Sequence, residues 1–273
     1  KGKERFGKME KTHLVVIDPQ IDFCDPQGSL FVPGADQDME RLAAFIKKFA
    51  RTLDDVHVTL DSHRYFHVAH PVAWVDAHGK NPSPFTLISS TDVKNGLWRA
   101  SHPGLQKRWE EYVQKLEANG RYILCIWPPH CLIGSQGYAV YPPLFEALCT
   151  WEASAIGACV DYVTKGSNSF TEHYSAVQAD VPDDRDPGTQ LNMNFIQTLQ
   201  EADRILFSGE ALSHCLANTA QDIAANFGEE NVRKMVLLTD ATSSVPGFEA
   251  QGESFVREMT ARGMQVSTTK DAL

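Results

Sequence analysis

Short, continuous apolar runs alternate along the chain with stretches in which apolar residues recur at helical spacing. Residues 12–17 (Thr-His-Leu-Val-Val-Ile) are the first run, rich in β-branched side chains and suited to a strand buried on both faces. Residues 56–60, 159–163, 204–207, 235–238 and 264–267 read as further strands, and 122–126 as another buried one. Between them, residues 38–53 place Met39, Leu42, Phe45, Ile46 and Phe49 on one helical face. Further helices are predicted over 105–116, 144–155 and 191–202, from Cys215 onward, and along Phe248, Phe255 and Met259. Buried strands alternating with amphipathic helices predict an α/β protein with a mainly parallel sheet and helices on both faces. Residues 71–102 break the pattern. They are rich in Pro, Gly, Ser and Asn, and loops of that length are usually lids or insertions.

The polar residues that end the strands carry the candidate chemistry. Asp18 ends the first run, on the edge where open α/β sheets bind ligands, although an Asp there also serves as a turn cap. Asp61-Ser62-His63 follows the second strand. A carboxylate and an imidazole two residues apart face one point if the chain stays extended, and this donor set suits Zn, Fe or Mn. The triplet is common by chance, and His67, His70 and His78 nearby are equally readable as surface residues. In Trp127-Pro128-Pro129-His130-Cys131 two prolines fix the backbone, so His130 is able to complete a three-ligand set with open positions, as in catalytic rather than structural sites. Lys165 precedes Gly166 at another strand end, where an exposed lysine is the ordinary alternative. Cys215 sits where a strand turns at Gly209 into a small-residue helix. Unpaired N–H groups there lower a thiol pKa and stabilise an oxyanion, whereas a cysteine in an apolar setting is otherwise core filler.

Composition narrows the class. The 273 residues, 42% hydrophobic and 22% charged, suit one globular domain over 12–273, with residues 1–11 as a flexible, charged leader. A net charge of −10 without a basic run argues against nucleic acid, and no apolar run approaches the roughly 20 residues of a membrane span. Six cysteines without a CxxC pair fit free thiols in a reducing, cytoplasmic setting. Association into a homo-oligomer is left open.

Taken together, the motifs resemble the nicotinamidase branch of the isochorismatase-like cysteine hydrolases, in collinear order from Leu14 to Val266. The matching blocks are Val15 to Phe23, Gly28-Ser29-Leu30 with Val32-Pro33-Gly34, Asp61-Ser62-His63 with Trp127 to Cys131, Lys165-Gly166 through Tyr174-Ser175-Ala176, and Gly209-Glu210-Ala211 with Cys215. The resemblance implies a three-layer α/β/α fold around a six-stranded, mostly parallel sheet. It implies a triad of Asp18, Lys165 and Cys215, in which Asp18 takes the thiol proton and returns it to departing ammonia while Lys165 holds both groups charged. Cys215 would form a thioester with the amide carbon, and the N–H groups of Ala211 and Cys215 would be the oxyanion hole, with a cis Glu210–Ala211 peptide before it. One divalent ion, Zn by preference with Fe and Mn equally suited to the donors, would be held by Asp61, His63 and His130 and orient the substrate through its pyridine nitrogen. Phe23 and Trp127 would flank the ring.

The implied reaction is nicotinamide plus water to nicotinate and ammonia, within NAD salvage. The same triad acting on a carbamoyl, ureido or larger heteroaromatic amide is the nearest alternative. Three departures bear on the substrate. Glu210 places a carboxyl beside the oxyanion hole, Ser213-His214 replaces a polar–aromatic pair, and segments near 71–121 and 132–158 read as insertions. A non-catalytic protein of the same fold would be expected to lose a triad member, and a redox thiol would need a resolving cysteine beside Cys215.

Overall fold

The run that opens the chain becomes β1, Thr12–Ile17, and every one of its residues is buried. Only a strand covered on both faces buries side chains of both parities, so β1 lies at the centre of a sheet. The computed structural model describes residues 10–273 and shows that sheet directly. Its other strands are β2 (Asp55–Asp61), β3 (Asp161–Lys165), β4 (Arg204–Gly209), β5 (Met235–Leu238) and β6 (Gln265–Ser267). The order is β6-β5-β4-β1-β2-β3, and every neighbouring pair is parallel. The sheet expected to be mostly parallel is therefore parallel throughout.

This order decides where a ligand can sit. From β1 the chain steps outward to β2 and β3, then crosses back to β4 beside β1 and steps outward the other way. Right-handed crossovers place the connections of the two halves on opposite faces, so a crevice opens between the C-terminal ends of β1 and β4. The helices are α1 (Ala35–Lys48), α2 (Gln106–Ala118), α3 (Pro142–Glu152), α4 (Met193–Gln200), α5 (Ala217–Asn226) and α6 (Glu249–Ala261). α1 packs on α3 and α5 on α6. None is long and apolar enough to cross a membrane.

Two predicted regions differ. Residues 122–126, read as a buried strand, contribute only Leu124–Cys125, which pairs antiparallel with Leu87–Ile88 away from the central sheet. Leu124, Cys125 and Ile126 are indeed buried, although outside the central sheet, while Ile123 is exposed. Apolarity records burial and not which sheet provides it. Residues 71–102, read as irregular, hold a second ladder (Trp74–Val75 with Arg99–Ala100) and a short helix, Ser90–Lys94, started by a Ser89/Asp92 capping box. They close over an aromatic core in which Trp109 of α2 stacks on Trp74 and Phe66, with Phe170 alongside. The leader expected over 1–11 lies outside the described residues as far as position 9. Lys11 is tied to the sheet, its N–H donating to Asp203 Oδ2 at 2.9 Å.

Candidate active site

Four strands deliver polar groups to the crevice. Asp18 follows β1 with φ of +43°, a left-handed conformation that Asp tolerates better than most residues. Its N–H donates to the Thr59 carbonyl at 3.1 Å and to Thr59 Oγ1 at 3.0 Å, and Thr59 Oγ1–H donates to Asp18 Oδ1 at 2.6 Å. These bonds to β2 aim the carboxyl across the sheet end.

Lys165, the last residue of β3, is the hub. Contrary to the exposed-lysine alternative, its side chain is wholly buried. Nζ lies 2.9 Å from Asp18 Oδ2, 3.3 Å from Asp61 Oδ1, 3.0 Å from the His173 carbonyl and 3.4 Å from Cys215 Sγ. Burial alone would push the ammonium pKa down. Asp18, Asp61 and the Cys215 sulfur outweigh it and raise it well above the usual lysine value, so the hub is a cation. Burial raises the Asp18 carboxyl, against the downward pull of Lys165 and Thr59. It also pushes the Cys215 thiol well up, and Lys165 only partly offsets this. The direction favours the thiol over the thiolate, with Asp18 adding to the upward push and Lys165 Nζ as the hydrogen-bond donor to the sulfur.

Cys215 reaches this point through a tight chain reversal. Gly209 ends β4 with φ of +104°, and a Cβ there would stand 2.2 Å from the Ile17 carbonyl oxygen, so only glycine lets β4 pass so close to β1. The Glu210–Ala211 peptide is cis. A π-helical turn, Leu212–Leu216, then carries Cys215 into α5, with the Ala211 carbonyl accepting from His214 and Leu216 N–H. Ala211 and Cys215 both line the cavity. The Glu210 carboxyl, whose charge would oppose an oxyanion, turns away from it and accepts the Ser243 N–H at 3.0 Å.

Beside the hub, Asp61, His63 and His130 are buried, with ligand atoms all within 4.8 Å of one another. His63 Nδ1 donates to the Gly166 carbonyl at 3.0 Å and His130 Nδ1 to the Pro128 carbonyl at 2.8 Å. Each backbone bond fixes the tautomer that leaves Nε2 as a lone pair. Those two lone pairs face Asp61 Oδ2 at 2.9 and 3.3 Å. A divalent ion fits between these converging acceptors; a proton on His63 is the other group able to bridge them, since burial, which lowers that ring's pKa, is outweighed by Asp61, which raises it. Gly166 (φ +86°) makes room, because a Cβ there would lie 2.8 Å from His63 Cε1 and 3.0 Å from Asp61 Oδ1.

His67 is not available as a ligand, since Nε2 donates to the Thr171 carbonyl and Nδ1 accepts the Ala69 N–H. His70 is the histidine that sequence reasoning passed over. It is buried, its Nδ1 bonds the Tyr65 carbonyl, its Nε2 has no partner among the described residues, and its ring is 5.4 Å from that of His130. Only the fold separates it from the exposed His78.

Phe23 and Trp127 line the cavity with Leu30, Val32 and Val245. Its lining is mainly apolar and aromatic with a few converging polar groups, the make-up of a small-molecule site. Glu172, His173, Tyr174 and His214 line it too and were not singled out from sequence as site residues. The signal for the first two was their place beside Tyr174-Ser175-Ala176 in the lysine segment. Burial pushes His173 and His214 down to about 3, so both are neutral at physiological pH.

No family model matches the chain. It is 23% identical over 232 residues to the nicotinamidase of Saccharomyces cerevisiae, covering 85% of this chain and 88% of that protein. Among solved structures it resembles an Acinetobacter nicotinamidase/pyrazinamidase with a TM-score of 0.64, at 20% identity, over 97% of this chain and 99% of that one. The yeast nicotinamidase structure gives 0.61 at 19% identity, over 93% of this chain and 98% of that one. The pyrazinamidase of Pyrococcus horikoshii, solved in complex with zinc, gives 0.56 at 18% identity, over 94% and 99%. The fold is thus the isochorismatase-like hydrolase fold. The resemblance to the nicotinamidase branch extends from the ordered motifs to the whole architecture.

Proposed function

We propose that this protein is a metal-dependent cysteine amidohydrolase that converts nicotinamide to nicotinate and ammonia. The observation that carries the reading is the position of Lys165 Nζ, in contact with Asp18, Cys215 and the metal-site carboxylate Asp61 at once. That arrangement couples a nucleophile and its base to a substrate-orienting site within one buried cluster.

Asp18 is suited to be the base. Its carboxyl, raised by burial, is closer in proton affinity to the thiol than an exposed aspartate, which favours transfer as the sulfur attacks the amide carbon. Lys165 stays charged and offsets the negative charge that moves from carboxylate to sulfur. The N–H groups of Ala211 and Cys215 would bind the carbonyl oxygen as it gains charge, and the Asp18 proton would leave with ammonia. Water would then release the acid from the Cys215 thioester. A divalent ion on Asp61, His63 and His130 would supply a fixed electrophilic point for a ring nitrogen, with Phe23 and Trp127 against the ring. Zinc is the proposed ion. The donor set suits it, and the Pyrococcus structure was solved with it. The setting proposed is the reducing cytoplasm, in NAD salvage.

The test is ammonia release from metal-replete protein given nicotinamide, beside Cys215→Ala. Release that falls at least about a thousandfold in the variant, with metal content unchanged, is the expected result. A variant that retained turnover would remove Cys215 as nucleophile. No release by the wild type, with metal bound and thiol reactive, would direct the search to larger amides.

A further inference from the structure

Glu210 is buried, carries no role in the chemistry above, and meets a second acid. Its carboxyl and that of Asp38, from the first turn of α1, are both buried and both hold Ser243, one through the N–H and the other through the hydroxyl, so two charged carboxylates there would repel in a dry site and a proton between them relieves it. Asp38 already accepts from the Arg41 guanidinium at 2.9 Å and from the Ser243 hydroxyl at 2.6 Å. Glu210 accepts only the Ser243 N–H, and its other oxygen, Oε1, receives no hydrogen bond from any donor among the described residues. The proton therefore belongs on Glu210.

We propose that Glu210 is a neutral carboxylic acid sharing its proton with Asp38, and that this proton positions the segment bearing Ala211 and Cys215. The coupling runs through residues 241–245. The Ala241 carbonyl accepts Gly209 N–H and the Ser243 carbonyl accepts Leu212 N–H, both at 2.9 Å, while Thr242 Oγ1–H donates to the Gly209 carbonyl at 2.6 Å. Glu210 and Asp38 grip Ser243 from its backbone and hydroxyl sides, so the nucleophile segment, residues 241–245 and α1 are joined at one protonated pair. The charged and titratable groups facing Glu210 are Asp38, Arg41 and, from the turn Ile21–Cys24, the Cys24 thiol. Burial first and Asp38 second push Glu210 well above the glutamate range, in keeping with the geometry. Once pH is high enough to remove the proton, two like charges share a dry site and the clamp opens. Glu210 is thus a positioning residue whose protonation sets an alkaline limit.

The oxyanion-hole consequence rests on the proposed amidohydrolase reading, so the first experiment avoids activity. Infrared difference spectra of wild type minus Glu210→Gln at pH 7 should show a buried carboxylic-acid carbonyl band. Its absence would overturn the proposal whatever the protein hydrolyses. The second experiment follows amide hydrolysis against pH. Gln keeps both an acceptor for Ser243 and a donor for Asp38 but cannot ionise, so the ratio of Glu210→Gln to wild-type kcat should climb about tenfold per pH unit above the wild-type limit. A ratio flat with pH would leave Glu210 a merely structural group. Arg41→Gln, altered at a partly exposed side chain, serves if Glu210→Gln does not fold. Removing the cation makes the pair hold its proton more tightly and should move the alkaline limit upward. An unmoved limit would count against the shared proton.

Discussion

His214 shows how one side chain changes character when the fold closes on it. Its ring is enclosed by Tyr122, Trp127, Tyr174 and Phe248, and its Nδ1 bonds Ser213 Oγ at 2.8 Å. Burial holds its pKa at about 3, against about 6.5 in the unfolded chain. As pH falls below about 6.5 the unfolded chain takes up a proton that the folded protein refuses, so this residue draws stability away on the acid side. Replacing it with Gln costs packing at pH 7, but the deficit relative to wild type should shrink by about 2 kcal/mol between pH 7 and 5. Urea unfolding of both proteins at the two pH values measures this. A deficit that stays constant would mean that His214 protonates in the folded state. At the same scale, Asp18, Asp61, His63 and Lys165 announced themselves by standing at strand ends. His70, His173 and His214 did not, because a histidine looks alike in sequence whether solvent or an indole surrounds it.

At the scale of elements, the segment around α2 braces the candidate metal site from behind. Trp109 is fully buried, donates its indole N–H to the Ala73 carbonyl at 3.0 Å, and packs on Phe66, Trp74 and Phe170. Phe66 precedes His67, which bonds the Thr171 carbonyl, and Tyr112 on the same helix accepts the Glu172 N–H at 2.9 Å. Trp109→Ala is expected to cost about 3–5 kcal/mol of stability, the usual range for emptying a large aromatic site. It should also weaken metal retention, because the layer holding His63, His67 and His70 loses its support. Thermal unfolding and metal content after dialysis check the two effects. Unchanged metal retention would show the aromatic cluster to be independent of the site. The boundaries of β1 and β5 were legible because continuous apolar runs between polar ends have one reading. Residues 71–102 were not, since ladders two residues long leave no period to detect.

For the whole molecule, the site joins residues from both halves of the sheet, Asp18, Asp61 and Lys165 from one and Cys215 from the other. A bound ion should stabilise the fold as well, because Asp61, His63 and His130 come together only in the folded chain. With free metal about a hundredfold above its Kd, the gain is about 3 kcal/mol. Chelation should accordingly lower the unfolding temperature and abolish hydrolysis without unfolding the protein at 25 °C. Differential scanning calorimetry with and without chelator, followed by titration with zinc, manganese or iron, reads both. Chelated protein that melts unchanged would mean that Asp61, His63 and His130 hold no ion.

By itself the sequence determined the alternation of strands and helices, hence a parallel α/β sheet, and it put acids, a lysine and a thiol where strands end. These are local properties, written in apolar periodicity and in the residue that follows each run. Which strand ends meet was decided by the order β6-β5-β4-β1-β2-β3, which brings Lys165 to within reach of Asp18, Asp61 and Cys215 although 50 residues or more separate it from Cys215 and more than 100 from the acids. The protonation states were decided there too. A Lys165 kept charged, a Cys215 thiol whose pKa is pushed up and the proposed neutral Glu210 follow from desolvation and close neighbours, and both exist only once the chain has packed.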